Sequence, residues 1–272
     1  MNILHRLVVA VQTRGNLGKS LAINGLCDWL KKNQIEWCGF DLDADHQSLA
    51  RVFPGAVSLV ELGEEPEGDL IRILKHCVQS PITVIDPRAH MSQVILRTWE
   101  MLRFPESFAE AGGRITVLLF VADDLEVMTD IDQTVTRLGD SVDYVVVKNR
   151  ARAPRTRMHD GSELESCLNE FGAEELEIPV LLSLARNQLA AQEAALGRGI
   201  SYVEAIANRD LKFDPMVRLI IEDWIKTLFR RLDRLSGKFL TTALAGKIAP
   251  VDTRPLMSAP VIRGAKINRN NL

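Results

Sequence analysis

The sequence lacks the features that define several protein classes. No apolar run approaches the roughly 20 residues of a membrane-spanning helix. The N-terminal apolar stretch is too short for a signal peptide and has no small-residue cleavage site. A net charge of -3 argues against nucleic-acid binding over the whole surface, although local basic patches remain possible. The four cysteines are widely spaced, with no C-x-x-C pair, so we expect reduced and mostly buried thiols in a cytoplasmic protein.

Short runs rich in Val, Ile and Leu alternate with longer amphipathic stretches along the chain. The runs are continuously apolar, as expected for strands that helices cover on both faces. This alternation predicts an α/β fold: a doubly wound, mostly parallel sheet with helices on both faces. The predicted strands are 7–11, 37–41, 82–86, 115–121, 144–147 and 178–182. The predicted helices are 19–33, 68–79, 91–102, 125–138, 161–171 and 188–195.

The first predicted strand leads into VQTRGNLGKSLAINGL, which ends like the phosphate-binding pattern G-x-x-x-x-G-K-[ST] but has Thr13 in place of its first glycine. In such a loop the backbone N–H groups and the following helix N-terminus face the phosphates. Lys19 would reach the β- and γ-phosphates, and the Ser20 hydroxyl would bind Mg²⁺. The alternative is a glycine turn before an ordinary helix. The predicted nucleotide-binding residues in this loop are Gly15, Asn16, Leu17, Gly18, Lys19, Ser20 and Leu21.

Carboxylates follow two other predicted strands. Asp86 ends the run ITVID, where a Mg²⁺-organising carboxylate is expected. Asp41 and Asp43 lie in FDLDAD, and residues two apart on a strand face the same side. Ligands in open α/β sheets bind beyond the carboxyl ends of the strands, so we expect these acids and Lys19 to meet in one crevice. For each acid alone, a helix cap or a turn is the competing interpretation.

Several segments together resemble the ParA/MinD family of ATPases. VQTRGNLGKS resembles its deviant Walker A loop, FDLDADHQ its D-x-D segment and VIDPRA its Walker B segment. The resemblance continues through VLLFVADDLEVMTDI and VVVKNR to IPVLLSLARNQLAAQEAALGRGISYVEA, so that it covers about residues 3–207. It implies an ATPase that binds ATP or ADP with Mg²⁺ and forms an ATP-sandwiched homodimer.

The resemblance also implies roles for individual residues. Lys19 matches the phosphate-binding lysine, and Asp43 falls where the family positions the attacking water. The implied Mg²⁺ site consists of Ser20 and Asp86, and Asp41 is predicted as a further metal ligand. Asn149 falls where these ATPases bind the adenine, and an Asn amide can pair with a donor and an acceptor on the base edge. The competing interpretation of Asn149 is a turn residue.

Arg14 departs from the family pattern. It replaces the signature lysine that reaches across the dimer to the partner's phosphates. Its planar guanidinium can bind phosphate in two places, and an arginine provided in trans accelerates hydrolysis about 10³–10⁵-fold in other systems. Asn16 also adds a side chain where the family has glycine. Two interpretations stay open: Arg14 keeps the dimer switch and its catalytic role, or the loop binds nucleotide and hydrolyses it poorly.

The sequence offers three candidate surfaces for partners. KNRARAPRTR could bind DNA phosphates through Arg150, Arg152, Arg155 and Arg157, or could be a solvated loop. The amphipathic stretch 213–235 ends the predicted ATPase domain, 1–235, and could dock on the sheet or lie on a membrane. Residues 236–272 are predicted to form a flexible basic tail.

The sequence therefore predicts a Mg²⁺-dependent ParA/MinD-like ATPase. We expect it to act as a homodimeric switch in DNA partition, in conjugative or plasmid transfer, or in positioning a macromolecular cargo, together with an adaptor or activator protein. The alternatives are a P-loop kinase or other phosphotransferase that acts on a small molecule, and a nucleotide-binding adaptor with little turnover.

Overall fold

A seven-stranded parallel sheet forms the centre of the protein, in a computed structural model that describes residues 2–248. The strand order is β3-β2-β4-β1-β5-β6-β7, and every neighbouring pair is parallel. The predicted fold class is therefore confirmed. The strands are β1 (His5–Ala10), β2 (Cys38–Asp41), β3 (Val57–Leu59), β4 (Ile82–Asp86), β5 (Gly113–Phe120), β6 (Asp143–Asn149) and β7 (Glu174–Ile178).

Helices cover both faces of this sheet. Because side chains alternate along a strand, Val8 and Ala10 enter one apolar core while Leu7 and Val9 enter the other. The helices are α1 (Lys19–Lys32), α2 (Pro66–His76), α3 (Ser92–Leu102), α4 (Phe104–Glu110), α5 (Leu125–Leu138), α6 (Glu163–Glu170), α7 (Ser183–Leu196), α8 (Tyr202–Ala207), α9 (Pro215–Arg234), α10 (Ser236–Phe239) and α11 (Thr242–Ala245).

Two sheet elements differ from the sequence-based prediction. Strand β3 was not predicted, because its three residues give no periodic pattern. Strand β7 ends where the predicted strand 178–182 begins, because Pro179 has no N–H for a ladder and the paired residues are EELEI. The glutamates of EELEI make this edge strand polar. The prediction therefore placed the strand in the apolar run that follows, 178–182.

Helix α9 docks on the domain through its apolar stripe. Val217, Ile221, Trp224 and Leu228 are buried, and the Trp224 indole N–H donates to the carbonyl oxygen of Pro179 at 2.7 Å. The core therefore covers this stripe, as the docking interpretation predicts. Within residues 2–248, no helix combines the length and apolar character needed to cross a bilayer.

The chain continues to pack beyond the predicted domain boundary at residue 235. Phe239 and Leu240 are buried, and Thr242 exchanges hydrogen bonds with Ile3 through backbone and hydroxyl groups. The predicted flexible tail therefore begins too early in the sequence, because 236–245 contains apolar side chains that join the core. Residues 249–272 of that predicted tail lie outside the described residues.

Arg6 attaches the C-terminal segment 236–245 to the sheet. Its fully buried guanidinium contacts Asp143 at 2.6 Å and donates to the carbonyl oxygens of Gly237 at 2.8 Å and Leu240 at 3.3 Å. Burial alone would raise the pKa of Asp143, but the hydrogen bond and charge of Arg6 outweigh burial and lower that pKa. The ion pair thus joins β1, β6 and the C-terminal turn.

We expect Arg6→Met to lower the free energy of unfolding by about 3 kcal/mol near pH 7, because it leaves the Asp143 carboxylate without its closest partner. Urea denaturation measures this loss. Arg72→Met is the matched control, since Arg72 pairs with Asp69 while 77% of its side chain is exposed, and a change within about 0.5 kcal/mol is expected.

The Arg6→Met loss should also depend on pH. The lowered pKa of Asp143 stabilises the fold above the unfolded value of about 4, and this contribution is lost as pH falls through the lowered pKa. Equal losses for the two variants, or a pH-independent difference between them, would contradict the assigned role of the Arg6–Asp143 pair.

Candidate functional site

The loop between β1 and α1 lies beside the carboxyl end of β4, because β1 and β4 are neighbours in the sheet. A cavity of about 340 Å³ opens over this loop. Side chains from three other segments reach the same cavity. Its lining includes Gly15, Asn16, Gly18, Lys19, Ser20, Leu21, Asp43, His46, Ser48, Arg88 and Arg152. The structure therefore brings together most of the residues that were predicted to bind nucleotide.

Two loop residues adopt left-handed backbone conformations. Asn16 has φ 61°, which an asparagine tolerates better than most side chains, so this substitution for glycine is compatible with the turn. Gly18 has φ 88°, and an added Cβ would lie 2.1 Å from the Asn149 amide nitrogen. Helix α1 then begins at Lys19 without a side-chain cap, which leaves its first N–H groups free of side-chain acceptors.

Thr13 anchors the start of the loop to two helices. Its backbone N–H donates to Asp130 Oδ2 at 2.7 Å, and its hydroxyl donates to Asp130 Oδ1 at 3.0 Å. Ser92 Oγ lies 2.5 Å from the same hydroxyl. The residue that breaks the sequence pattern therefore holds the loop against α3 and α5. Sequence reasoning missed both partners: Ser92 belongs to none of the quoted segments, and Asp130 lies in VLLFVADDLEVMTDI but was given no role.

Lys19 and Arg14 are both engaged within the chain. Lys19 Nζ donates to the Arg14 carbonyl oxygen at 2.6 Å, and burial lowers the pKa of Lys19 against the opposing effect of nearby carboxylates. The Arg14 guanidinium lies 2.7 Å from Glu126 and 3.5 Å from Asp124 at the start of α5. The Arg14 side chain is 48% exposed, so its charge is paired at the surface.

Asp86 is buried at the end of β4. Burial and the neighbouring Asp41 charge raise its pKa to about 7, although Ser20, Ser48 and Lys19 act in the opposite direction. Asp86 Oδ2 accepts from Ser48 at 3.1 Å, while nothing among residues 2–248 hydrogen-bonds Oδ1. A buried carboxylate oxygen beside a serine hydroxyl is a donor set that suits Mg²⁺. The predicted pairing of Ser20 with Asp86 therefore fits a metal-bound nucleotide.

The Asp41 carboxylate accepts hydrogen bonds from backbone groups. Its Oδ1 accepts from the Asp43 N–H at 3.0 Å, and its Oδ2 accepts from Leu49 and Ala50 N–H groups at 2.8 and 2.9 Å. Both oxygens therefore shape the segment after β2. The predicted role of Asp41 as a metal ligand stays a prediction, and the contacts in the structure give its carboxylate a structural role. Asp43 does line the cavity, where its carboxylate contacts the His46 imidazole at 3.1 Å.

Asn149 contacts the loop rather than presenting a free amide. Its Nδ2 donates to the Leu17 carbonyl oxygen at 3.0 Å, and its Oδ1 accepts from the Ala151 N–H at 3.1 Å. The side chain is buried. Base recognition by this amide is therefore not supported by the arrangement in the structure, because both polar atoms are already paired with backbone groups. The turn interpretation describes Asn149 better.

The arginine-rich loop divides into two sets of cations. Lys148 contacts Asp160 and Glu175, and Arg150 lies 2.8 Å from Glu177, so acids within the domain neutralise these two charges. The remaining arginines of the loop are exposed: Arg152, Arg155 and Arg157. Of the four arginines predicted to contact DNA, Arg150 is thus committed to the fold.

No protein-family model and no curated protein matches this chain. Among solved structures, it is similar to the MinD cell division protein of Aquifex aeolicus, with 14% identity, 86% of this chain and 97% of that chain covered, and a TM-score of 0.44. It is also similar to the septum site-determining protein MinD of Pyrococcus horikoshii OT3, solved with Mg-ADP. The identity is 14%, 85% of this chain and 97% of that chain are covered, and the TM-score is 0.46. For chloroplast FtsY of Physcomitrella patens the identity is 13% and the TM-score is 0.41. The match covers 63% of this chain and 57% of that chain, so this chain spans a little over half of that protein. Likeness at this level gives no information about activity.

We expect Gly18→Ala to destabilise the protein more than Gly197→Ala. Both glycines have positive φ, but an added Cβ at Gly197 meets nothing within 4 Å, whereas at Gly18 it meets Asn149. Both substitutions carry about 1–2 kcal/mol of backbone strain, and Gly18→Ala adds roughly 1–3 kcal/mol of overpacking. Urea denaturation measures both losses.

The double variant Gly18→Ala/Asn149→Ala identifies the source of the added loss. It should be more stable than the sum of the single losses predicts, because removal of the Asn149 amide relieves the contact. Strict additivity would mean that Asn149 does not hold the loop closely.

Proposed function

We propose that this chain is a ParA/MinD-like P-loop ATPase that binds ATP with Mg²⁺ and works as a nucleotide-dependent switch. The observation that carries the proposal is that the loop, Lys19 and Ser20 line one cavity, with the buried Asp86 carboxylate next to Ser20 and Lys19. Free N–H groups at a helix start and a lysine suit phosphate, and a buried carboxylate with an unpaired oxygen suits a divalent cation.

Each group has a distinct task in this proposal. The loop N–H groups hold the phosphate oxygens, and Lys19 exchanges its bond with the Arg14 carbonyl for the β- and γ-phosphates. Ser20 and Asp86 hold Mg²⁺, which neutralises charge on the phosphates when it is bound. Asp43, at the cavity wall, orients the water that attacks the terminal phosphate. Its His46 neighbour fixes the direction of that carboxylate.

Arg14 has two possible roles under this function. In the first, the guanidinium leaves Glu126 and Asp124 when ATP binds and reaches the phosphates of a second copy of the chain. Exposed ion pairs contribute no more than about 1 kcal/mol, so this exchange is energetically accessible. In the second role, the guanidinium stays on α5, and the protein is a nucleotide-binding adaptor with slow turnover.

The switch acts on another macromolecule in this proposal. DNA is the surface that the exposed arginines favour, through Arg155 and Arg157 on the loop after β6, and an adaptor or activator protein would trigger release. DNA partition and transfer are both compatible with such a surface. The small-molecule kinase stays the alternative, and stimulation of ATP use by DNA rather than by a phosphate acceptor distinguishes the two.

Nucleotide-dependent mass tests the switch. We expect light scattering to show a doubled mass with Mg²⁺ and a slowly hydrolysed ATP analogue but not with ADP, and we expect Lys19→Ala to abolish the doubling. Arg14→Ala should abolish doubling only if Arg14 acts across the dimer. Arg72→Ala, which removes an exposed and paired arginine elsewhere, should double like the wild type. A single mass in both nucleotides contradicts the dimer switch, and nucleotide binding at constant mass favours the adaptor.

A further inference from the structure

We infer that Arg88 and Arg152 bind the phosphates of the nucleotide within a single chain, in which Arg14 is instead paired with Asp124 and Glu126. This inference rests on the proposed nucleotide site. Both residues line the loop cavity together with Lys19 and Ser20. They arrive from different segments, one after β4 and one after β6, so they approach the loop independently.

Arg88 follows the buried carboxylate by two residues. Pro87 between them is buried, and Pro has only one free backbone dihedral, so the direction in which the chain leaves β4 is restricted. The Arg88 residue itself is exposed on the cavity wall. Across residues 2–248 no acid forms an ion pair with it, in contrast to Arg14, Arg114 and Arg137. Its guanidinium is available to an anion in the cavity.

Arg152 is positioned by its own turn. The N–H groups of Arg152 and Ala153 donate to the Asn149 carbonyl oxygen at 3.0 and 2.8 Å, and Ala153 is buried. Since the Asn149 amide also bonds the Leu17 carbonyl, this turn is fixed to the phosphate loop itself. Arg152 lines a second, adjoining cavity beside Arg14 and Gly15 as well. Arg152 therefore lies between the loop cavity and the adjoining cavity.

The charges around the cavity support a polyanionic ligand. Arg88, Arg152 and Lys19 contribute three positive charges, whereas Asp43 is the acid on the same wall and its carboxylate already contacts His46. Arg14, by comparison, has two carboxylates within 3.5 Å. Guanidinium groups bind phosphate oxygens in two places at once, and their attraction increases with the charge of the phosphate chain. The predicted ligand contact is therefore with the terminal phosphates.

Binding of ATP, ADP and AMP tests this assignment, measured by displacement of a fluorescent ATP analogue in the presence of Mg²⁺. We expect Arg88→Ala and Arg152→Ala each to weaken ATP binding about tenfold or more, which is typical of a lost charge-assisted hydrogen bond. The loss should be smaller for ADP and smallest for AMP. Arg157→Ala is the matched control, because Arg157 is exposed on the same loop but does not line the cavity, and its binding should stay within about twofold of wild type.

Conservative variants separate charge from folding. Arg88→Lys and Arg152→Lys should recover part of the ATP affinity if the lost contact is to phosphate, provided that thermal melting matches the wild type. If Arg88→Ala and Arg152→Ala bind ATP as well as Arg157→Ala does, while Lys19→Ala loses binding, this inference is overturned. The proposed function then stays intact. Equal losses for ATP, ADP and AMP overturn the assignment to the terminal phosphates. A wild type that binds no nucleotide overturns both proposals.

Discussion

Two carboxylates buried side by side impose the local structure of the candidate site. Asp41 and Asp86 are paired across β2 and β4, both out of solvent, and like charges in a poorly polarisable interior are costly unless donors or cations surround them. Asp41 is satisfied by three backbone N–H groups, which folds the segment after β2 around it. Asp86 instead faces Ser48, Ser20 and Lys19, and one of its oxygens has no hydrogen-bond partner among residues 2–248. The carboxylate that the backbone satisfies is structural, and the other is the one that the proposed function assigns to Mg²⁺.

The loop between β1 and α1 is held on the side opposite these acids by three different contacts. Gln12 forms two hydrogen bonds with the Phe120 backbone on β5, at 2.7 and 2.9 Å. Thr13 is fixed to α5 through Asp130, and Leu17 is fixed to the end of β6 through Asn149. A binding site is effective when its first contacts are held by rigid elements, and here two strands and a helix hold one short loop. The loop is thus preorganised although Thr13 replaces the first glycine of the common pattern.

The sequence was informative where a residue's environment follows from its own neighbours in the chain. Continuous apolar runs predict β1, β4 and β6, since both faces of an internal strand are covered, whereas the edge strand β7 carries EELEI and was displaced in the prediction. The site was less predictable because the role of each side chain depends on hydrogen-bond and ion-pair partners that are distant in the sequence. Asp41 and Asp86 both end strands, yet only the fold shows which one receives N–H groups from residues 49 and 50. Similarly, Arg150 and Arg152 are two residues apart. Of these two arginines, only Arg150 pairs with Glu177 on the adjoining strand.

The departures from the phosphate-loop pattern each have a physical counterpart elsewhere in the structure. Thr13 replaces a glycine and gains Asp130 and Ser92 as partners, and Asn16 occupies a left-handed turn that an asparagine tolerates. Arg14 meets Asp124 and Glu126 at the start of α5, so α5 provides partners for two of the three substitutions. A loop that merely lost its pattern would leave such side chains without partners or strain the turn. Because Thr13 and Arg14 contact α5 and Asn16 fits its turn, the altered sequence and a nucleotide-binding conformation are compatible.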